Sequence, residues 1–219
     1  MSNNPGLSIL FEDNHIIVAV KPAGIPSQKN LKDKFSFYDY IKEHTKNGFT
    51  GLVHRLDKSV TGVMVVAKTK FAASVLSKTI KEGLMEKIYL AVVEGKLNGS
   101  QGILKHFHEK KNHRAHIFSI EKPGTKPAIL HWEKIDEMPD RTLLKINLKT
   151  GRYNQIRSQF AYIKHPVLGD YKYSKKSKTS DFIALLCLEI SFPHPLTGKI
   201  MKFSLPSLPD YWSYFWNKV

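Results

Sequence analysis

Two short polar stretches in the 219-residue chain carry the residue types that chemistry requires. The first, Gly51-Leu52-Val53-His54-Arg55-Leu56-Asp57-Lys58-Ser59-Val60-Thr61-Gly62, sets a carboxylate between cations just ahead of an apolar run. At a strand entry this admits two readings: a solvated turn in which Asp57 accepts backbone hydrogen bonds, or a functional turn. The second stretch is Thr150-Gly151-Arg152-Tyr153-Asn154-Gln155-Ile156-Arg157. It joins a strand candidate to a helix candidate and brings two guanidiniums and several donor-rich side chains to one turn, a pattern suited to carboxylate or phosphate. Its presence tips the first stretch toward function.

Other candidates carry less. His106, His108, His113 and His116 have metal-ligand spacing, but Lys105, Lys110, Lys111 and Arg114 surround them and oppose a bound cation, so no metal site is expected. Cys187, the single cysteine, lies in an apolar run and reads as a small buried hydrophobe. Residues 105–126 hold six Lys/Arg against two acids, and 171–180 hold four lysines and no acid. Each stretch is a solvated face or a phosphate contact.

The elements that must position these residues follow from periodicity. Strands are expected near 16–20, 63–68, 88–94, 129–135, 142–149 and 183–192, each rich in β-branched or aromatic residues and bounded by turn formers. Ser36 and Asp39 make a capping-box-like start for a helix over 37–46, with Gly48 able to cap its far end. Phe71, Val75, Leu76 and Ile80, closed by Gly83, fall at helical spacing, as do Ile156, Phe160 and Ile163. Tyr211/Phe215 and Trp212/Trp216 read as a terminal helix docked on the core. Strands and helices mix without strict alternation, so the expected fold is an α+β domain on a largely antiparallel sheet. No repeat or linker divides the chain, and a single domain over 1–219 is expected.

Composition narrows the classes further. Hydrophobic residues make up 42% and charged residues 24%, an ordinary folded balance that excludes disordered, collagenous and disulfide-scaffold chains. With 34 Lys+Arg against 19 Asp+Glu the formal charge is +15, which favours a polyanionic partner such as nucleic acid. The polar start, Met1 to Gly6, lacks an export signal, and no apolar run is long enough to cross a bilayer. A cytoplasmic protein without a membrane partner is the expectation.

With these residues in view, the chain resembles the RluA-type RNA pseudouridine synthases. Lys21-Pro22-Ala23-Gly24 is similar to the family's first motif and His54-Arg55-Leu56-Asp57 to its catalytic signature. Lys87-Ile88-Tyr89-Leu90-Ala91-Val92-Val93-Glu94-Gly95 resembles the strand that carries its active-site tyrosine. Thr150 to Arg157, followed by His165-Pro166-Val167-Leu168-Gly169-Asp170, is similar to its third motif. The four blocks occur in order and cover most of the chain. Departures fall at Val60-Thr61, Ser27-Gln28, Asn154 and Leu186-Cys187, where the family commonly has Thr-Ser, a histidine, a histidine and His-Ala. They bear on subfamily and target more than on reaction type.

The resemblance implies an isomerase of RNA uridines in which Asp57 is the nucleophilic carboxylate, Tyr89 packs against or deprotonates the uracil, and Arg157 pairs with Asp57. It implies that Arg55 helps displace the flipped uridine; with an RNA cleft in the same chain, His54 and Arg152 of the motifs and Lys110, Lys111 and Arg114 of the basic stretch are the expected RNA contacts. The implied fold is a mixed, mainly antiparallel sheet flanked by helices, with an RNA cleft. The isomerisation needs no metal, nucleotide or redox cofactor, and none is expected. The expected partner is ribosomal or transfer RNA, and the expected state a monomer. The first motif begins at Lys21, from which no appended N-terminal RNA-binding domain is expected. A catalytically silent RNA-binding protein on the same fold is the alternative, which loss of Asp57 or Arg157 would have favoured. A glycosidase needs a second carboxylate beside Asp57, and the four blocks offer no obvious one.

Overall fold

The computed structural model describes residues 8–31, 33–46, 48–175 and 182–216. In chain order these form β1 (Ser8–Glu12), β2 (Ile16–Lys21), α1 (Phe37–His44), β3 (Gly51–Leu52), β4 (Thr61–Ala67), α2 (Lys70–Lys81), β5 (Glu86–Glu94) and β6 (Gln101–Lys111). There follow β7 (Arg114–Phe118), β8 (Lys126–Met138), β9 (Arg141–Leu148), α3 (Gln155–Tyr162), β10 (Leu185–Pro193), β11 (Ile200–Ser204) and a 3-10 helix, Asp210–Tyr214. The fold is α+β, as the pattern predicts, and all six expected strands are present within a few residues of their expected ends. No helix among the described residues is long and apolar enough to cross a membrane.

The chain gathers into two compact units, Met1–Glu86 with Cys187–Ser207 and Lys87–Leu186 with Leu208–Val219. In the first, the strand order is β1-β2-β4-β10, with β3 beside β4 and β11 beside β10. β2 and β4 pair antiparallel from Ile16↔Ala67 to Lys21↔Gly62. Every residue of β4 is buried, which is why its sequence is almost continuously apolar instead of alternating: both faces are covered. Gly62 is required there, because an added Cβ would lie 2.7 Å from the Cys187 carbonyl oxygen. Cys187 is buried, as its apolar neighbours predict.

α1 opens with the capping box expected of Ser36 and Asp39. Its far end differs from expectation. The helix closes at Thr45, and Lys46, not Gly48, takes the left-handed conformation at φ 50°. α2 begins at Thr69, whose side chain caps Ala72 N–H, and buries Ala72, Leu76 and Thr79. Phe71, expected on the buried stripe, is exposed.

In the second unit the order is β5-β9-β8-β6-β7, each neighbouring pair antiparallel. β6 and β7 are not foreshadowed by an apolar alternation, since β6 buries only Leu104 and His108. Asn112 and His113, both at positive φ, turn β6 into β7. α3 is buried from Gln155 through Phe160 although most of those residues are polar. Its amides meet the sheet instead of water: Gln159 Nε2 donates to Ala128 O at 3.0 Å, and Gln155 Nε2 to Ile129 O at 3.2 Å. The C-terminal aromatic segment forms a 3-10 turn in place of the expected α-helix, with Trp212 and Trp216 buried as docking requires.

Candidate active site

Asp57 sits on the turn between β3 and β4, half-buried, where its carbonyl accepts Val60 N–H at 3.1 Å. The segment after β2 straps this turn. Gly24 N–H donates to Lys58 O at 2.8 Å, and Ala23 N–H to Thr61 Oγ1 at 2.9 Å. Gly24 holds φ +81°, a conformation that glycine adopts without strain.

Beneath the strap lies Lys21, whose side chain is fully buried. Its ammonium donates to Pro22 O and Ile25 O, each at 2.7 Å, and to Lys58 O at 3.4 Å. Burial drives the Lys21 pKa down to about 7, against the opposing pull of the Asp57 charge. The strap therefore places a cation whose charge responds near neutrality within the field of the candidate carboxylate.

His54 and Arg55 precede Asp57 on the same turn. His54 Nε2 accepts Val65 N–H at 3.1 Å, standing in for a strand partner beyond the short β3 and fixing the ring as its Nδ1–H tautomer. Arg55 is exposed. Lys58 reaches outward to Asp33 at 3.0 Å, and that hydrogen bond holds the Asp33 carboxyl below the ordinary range.

In the second unit, Tyr89 is buried in β5 opposite Ile146. Arg157, on α3, makes a bidentate pair with Asp170: Nε donates to Oδ2 at 2.6 Å and Nη2 to Oδ1 at 2.8 Å. Tyr173 covers the guanidinium at 5.4 Å. Burial raises the Tyr173 phenol to about 12, so it stays a hydroxyl that accepts Ala115 N–H and donates to Asn154 Oδ1.

The structure also brings the predicted basic residues around Tyr153 and Tyr173. Lys110 and Arg114, flanking the exposed β6–β7 turn, lie 4.6 Å over Tyr153 and 5.2 Å over Tyr173 respectively. Tyr153 OH and Lys172 Nζ both donate to His113 O at the tip. Lys111 is exposed beside them, and Arg152 donates from Nε to Pro127 O at 2.9 Å. The rest of the 171–180 basic stretch, 176–180, lies outside the described residues.

The histidines with ligand-like spacing are engaged otherwise. His106 Nδ1 meets the Gln159 amide at 3.0 Å and His108 Nε2 the Tyr153 carbonyl at 2.9 Å. Burial lowers both pKa values, so both rings favour the neutral form. Among the described residues no cluster of three or more His, Cys, Asp or Glu could hold a metal ion.

The sequence reading assigned no role to Asp170, Tyr173, Lys21 or Ser27. Lys21 carries two signals, its place in Lys21-Pro22-Ala23-Gly24 and its position closing an otherwise apolar strand, and Ser27 carries one, its place at a departure from the family pattern.

The family model described as RNA pseudouridylate synthase matches residues 15–162. Ribosomal large subunit pseudouridine synthase D of Nitrosomonas europaea is 33% identical over 218 residues, covering 93% of this chain and 62% of its own length. An uncharacterised RNA pseudouridine synthase of Bacillus subtilis is 33% identical over 212 residues, covering 93% of this chain and 74% of its own. The human RNA pseudouridylate synthase domain containing 1 superposes with a TM-score of 0.77 at 20% identity over 92% of this chain, a likeness of fold. The chain thus belongs to the RNA pseudouridylate synthase family.

Proposed function

We propose that this protein isomerises uridine to pseudouridine in a structured cytoplasmic RNA, with Asp57 as the reacting carboxylate. In that reaction the N1–C1′ bond of the nucleotide breaks, the base turns, and C5 bonds to C1′. The proton lost from C5 is balanced by the one N1 gains, so no redox step or hydrolysis occurs. The observation that carries the reading is family membership across a matched segment that includes Asp57 and its strap.

Several groups would serve this chemistry. The uridine must leave the stack, at a cost of a few kcal/mol that contacts to backbone and base must offset. Tyr89 would face the extruded base, Arg157 would favour the ionised form of Asp57, and Arg55 would fill the gap in the stack. Lys110, Lys111 and Arg114 would meet phosphates from the β6–β7 turn, with Arg152 and His54 nearer the bound nucleotide. Ribosomal RNA is the favoured substrate, because several similar relatives bear the name of a large-subunit synthase. Transfer RNA is the other outcome of the test.

The test incubates purified protein with large-subunit ribosomal RNA and, separately, with transfer RNA, and maps pseudouridine by mass spectrometry. Site-specific conversion by wild type and background conversion by Asp57→Asn are expected. RNA binding should survive in that variant, since it deletes a negative charge near phosphates. Retained turnover in Asp57→Asn would overturn the assignment, and RNA binding without conversion in wild type would favour a silent binding protein.

A further inference from the structure

One hydroxyl fastens the residue immediately before Asp57. Ser27, 3% exposed, donates from Oγ to Leu56 O at 2.8 Å and accepts Leu56 N–H at 3.0 Å. Both peptide groups of Leu56 that a neighbouring strand would otherwise satisfy therefore end on a single side chain 29 residues earlier in the sequence. Leu56 is 7% exposed, so water is poorly placed to replace either bond.

Ser27 is itself anchored. Its carbonyl accepts Tyr38 N–H at 3.0 Å, and Pro26 O accepts Phe37 N–H at 2.8 Å, so the open N-terminus of α1 grips residues 26 and 27. The capping box of Ser36 and Asp39 fixes that end of the helix. On the other side of Asp57, Gly24 N–H holds Lys58 O. Asp57 thus lies between two pinned neighbours, and the Leu56 pin leads back to a helix terminus.

We infer that Ser27 is a positioning residue for Asp57: its hydroxyl fixes the Leu56 peptide groups and so aims the carboxylate. The inference rests on the proposal that Asp57 is the reacting group. A reaction in which one carboxylate must meet one atom of an extruded nucleotide is sensitive to this kind of anchoring, since a displacement of about 1 Å can cost roughly 100-fold in rate. A residue serving stability alone would change the folded fraction without changing the rate of the folded protein.

The experiment measures single-turnover pseudouridine formation at saturating RNA, RNA affinity and thermal unfolding for four proteins: wild type, Ser27→Ala, Ile16→Val and Asp57→Asn. Ile16, fully buried in β2, supplies a core-destabilised control. Ser27→Ala is expected to slow the single-turnover rate by about 10- to 100-fold while RNA affinity stays within about two-fold. Ile16→Val should lower the melting temperature and keep the wild-type rate. Where Ser27→Ala does not fold, Ser27→Cys, which fills the same space with a weaker hydrogen-bonding group, is held to the same outcomes. A wild-type rate in the folded Ser27 variant, with Asp57→Asn inactive, overturns the positioning role alone. Turnover in Asp57→Asn overturns the underlying assignment instead.

Discussion

Arg157 and Asp170 form a bidentate ion pair, 2.6 and 2.8 Å between partners, with side chains only 6% and 0% exposed. The resemblance assigned Arg157 to Asp57. The structure adds a carboxylate supplied by the segment after α3, with Tyr173 over the guanidinium. Asp170 Oδ1 also accepts Lys172 N–H at 3.1 Å, so the pair ties α3 to the loop that follows it.

Breaking this pair from either side should be severe. Arg157→Ala and Asp170→Ala are each expected to cost about 3–5 kcal/mol, because each leaves a buried charge uncompensated. The double variant should cost less than the two losses added together. Chemical denaturation of the three variants measures the coupling, and additivity within about 0.5 kcal/mol would show that the two groups act independently.

Lys21 predicts a pH signature. Its folded pKa of about 7 lies below the ordinary 10.5, so between those values the unfolded chain holds a proton that the folded protein lacks. Stability then rises with pH across that window, by up to about 1.4 kcal/mol per pH unit, and the burial penalty is felt in full below about pH 7. Subtracting the unfolding free energy of Lys21→Met from that of wild type isolates this group. The difference should move in favour of wild type as pH rises from neutral to alkaline. A flat difference would mean that Lys21 stays charged when buried.

Gly62→Ala should lower stability by about 1–3 kcal/mol through overpacking. The new methyl would meet backbone atoms of Cys187 in β10, which cannot swing aside as a flexible side chain would. Gly24→Ala makes a contrasting pair. No atom lies within 4 Å of its added Cβ, so its cost is that of the positive φ alone, about 1 kcal/mol. Thermal melts of both variants decide between these causes.

The β6–β7 turn should set the salt dependence of RNA binding. Replacing Lys110, Lys111 and Arg114 together by glutamine is expected to flatten the slope of log affinity against log salt by about 2, since each phosphate contact contributes roughly 0.7–0.9. Filter binding over a salt series reads this directly. An unchanged slope would move the RNA path to another face.

Features closed within a few residues were legible in the sequence alone. The capping box of Ser36 and Asp39 forms inside one turn, and it appears as read. The apolar run of β4 announces a strand covered on both faces, because side chains that avoid water must be buried whatever their neighbours are. The four ordered motifs likewise led to the family that the comparisons establish. Polar burial was not legible. Lys21, Ser27, Gln159 and Asp170 resemble surface residues in the sequence, yet each is buried against partners brought by chain closure. A polar group leaves water only where its hydrogen bonds or charge are met, and for Ser27 the partner is 29 residues away and for Gln159 as many as 55. Periodicity reports which side chains avoid water, whereas only the tertiary structure decides which polar ones can do without it, and the turn that carries Asp57 is held by two of that second kind, Ser27 at Leu56 and Lys21 at Lys58.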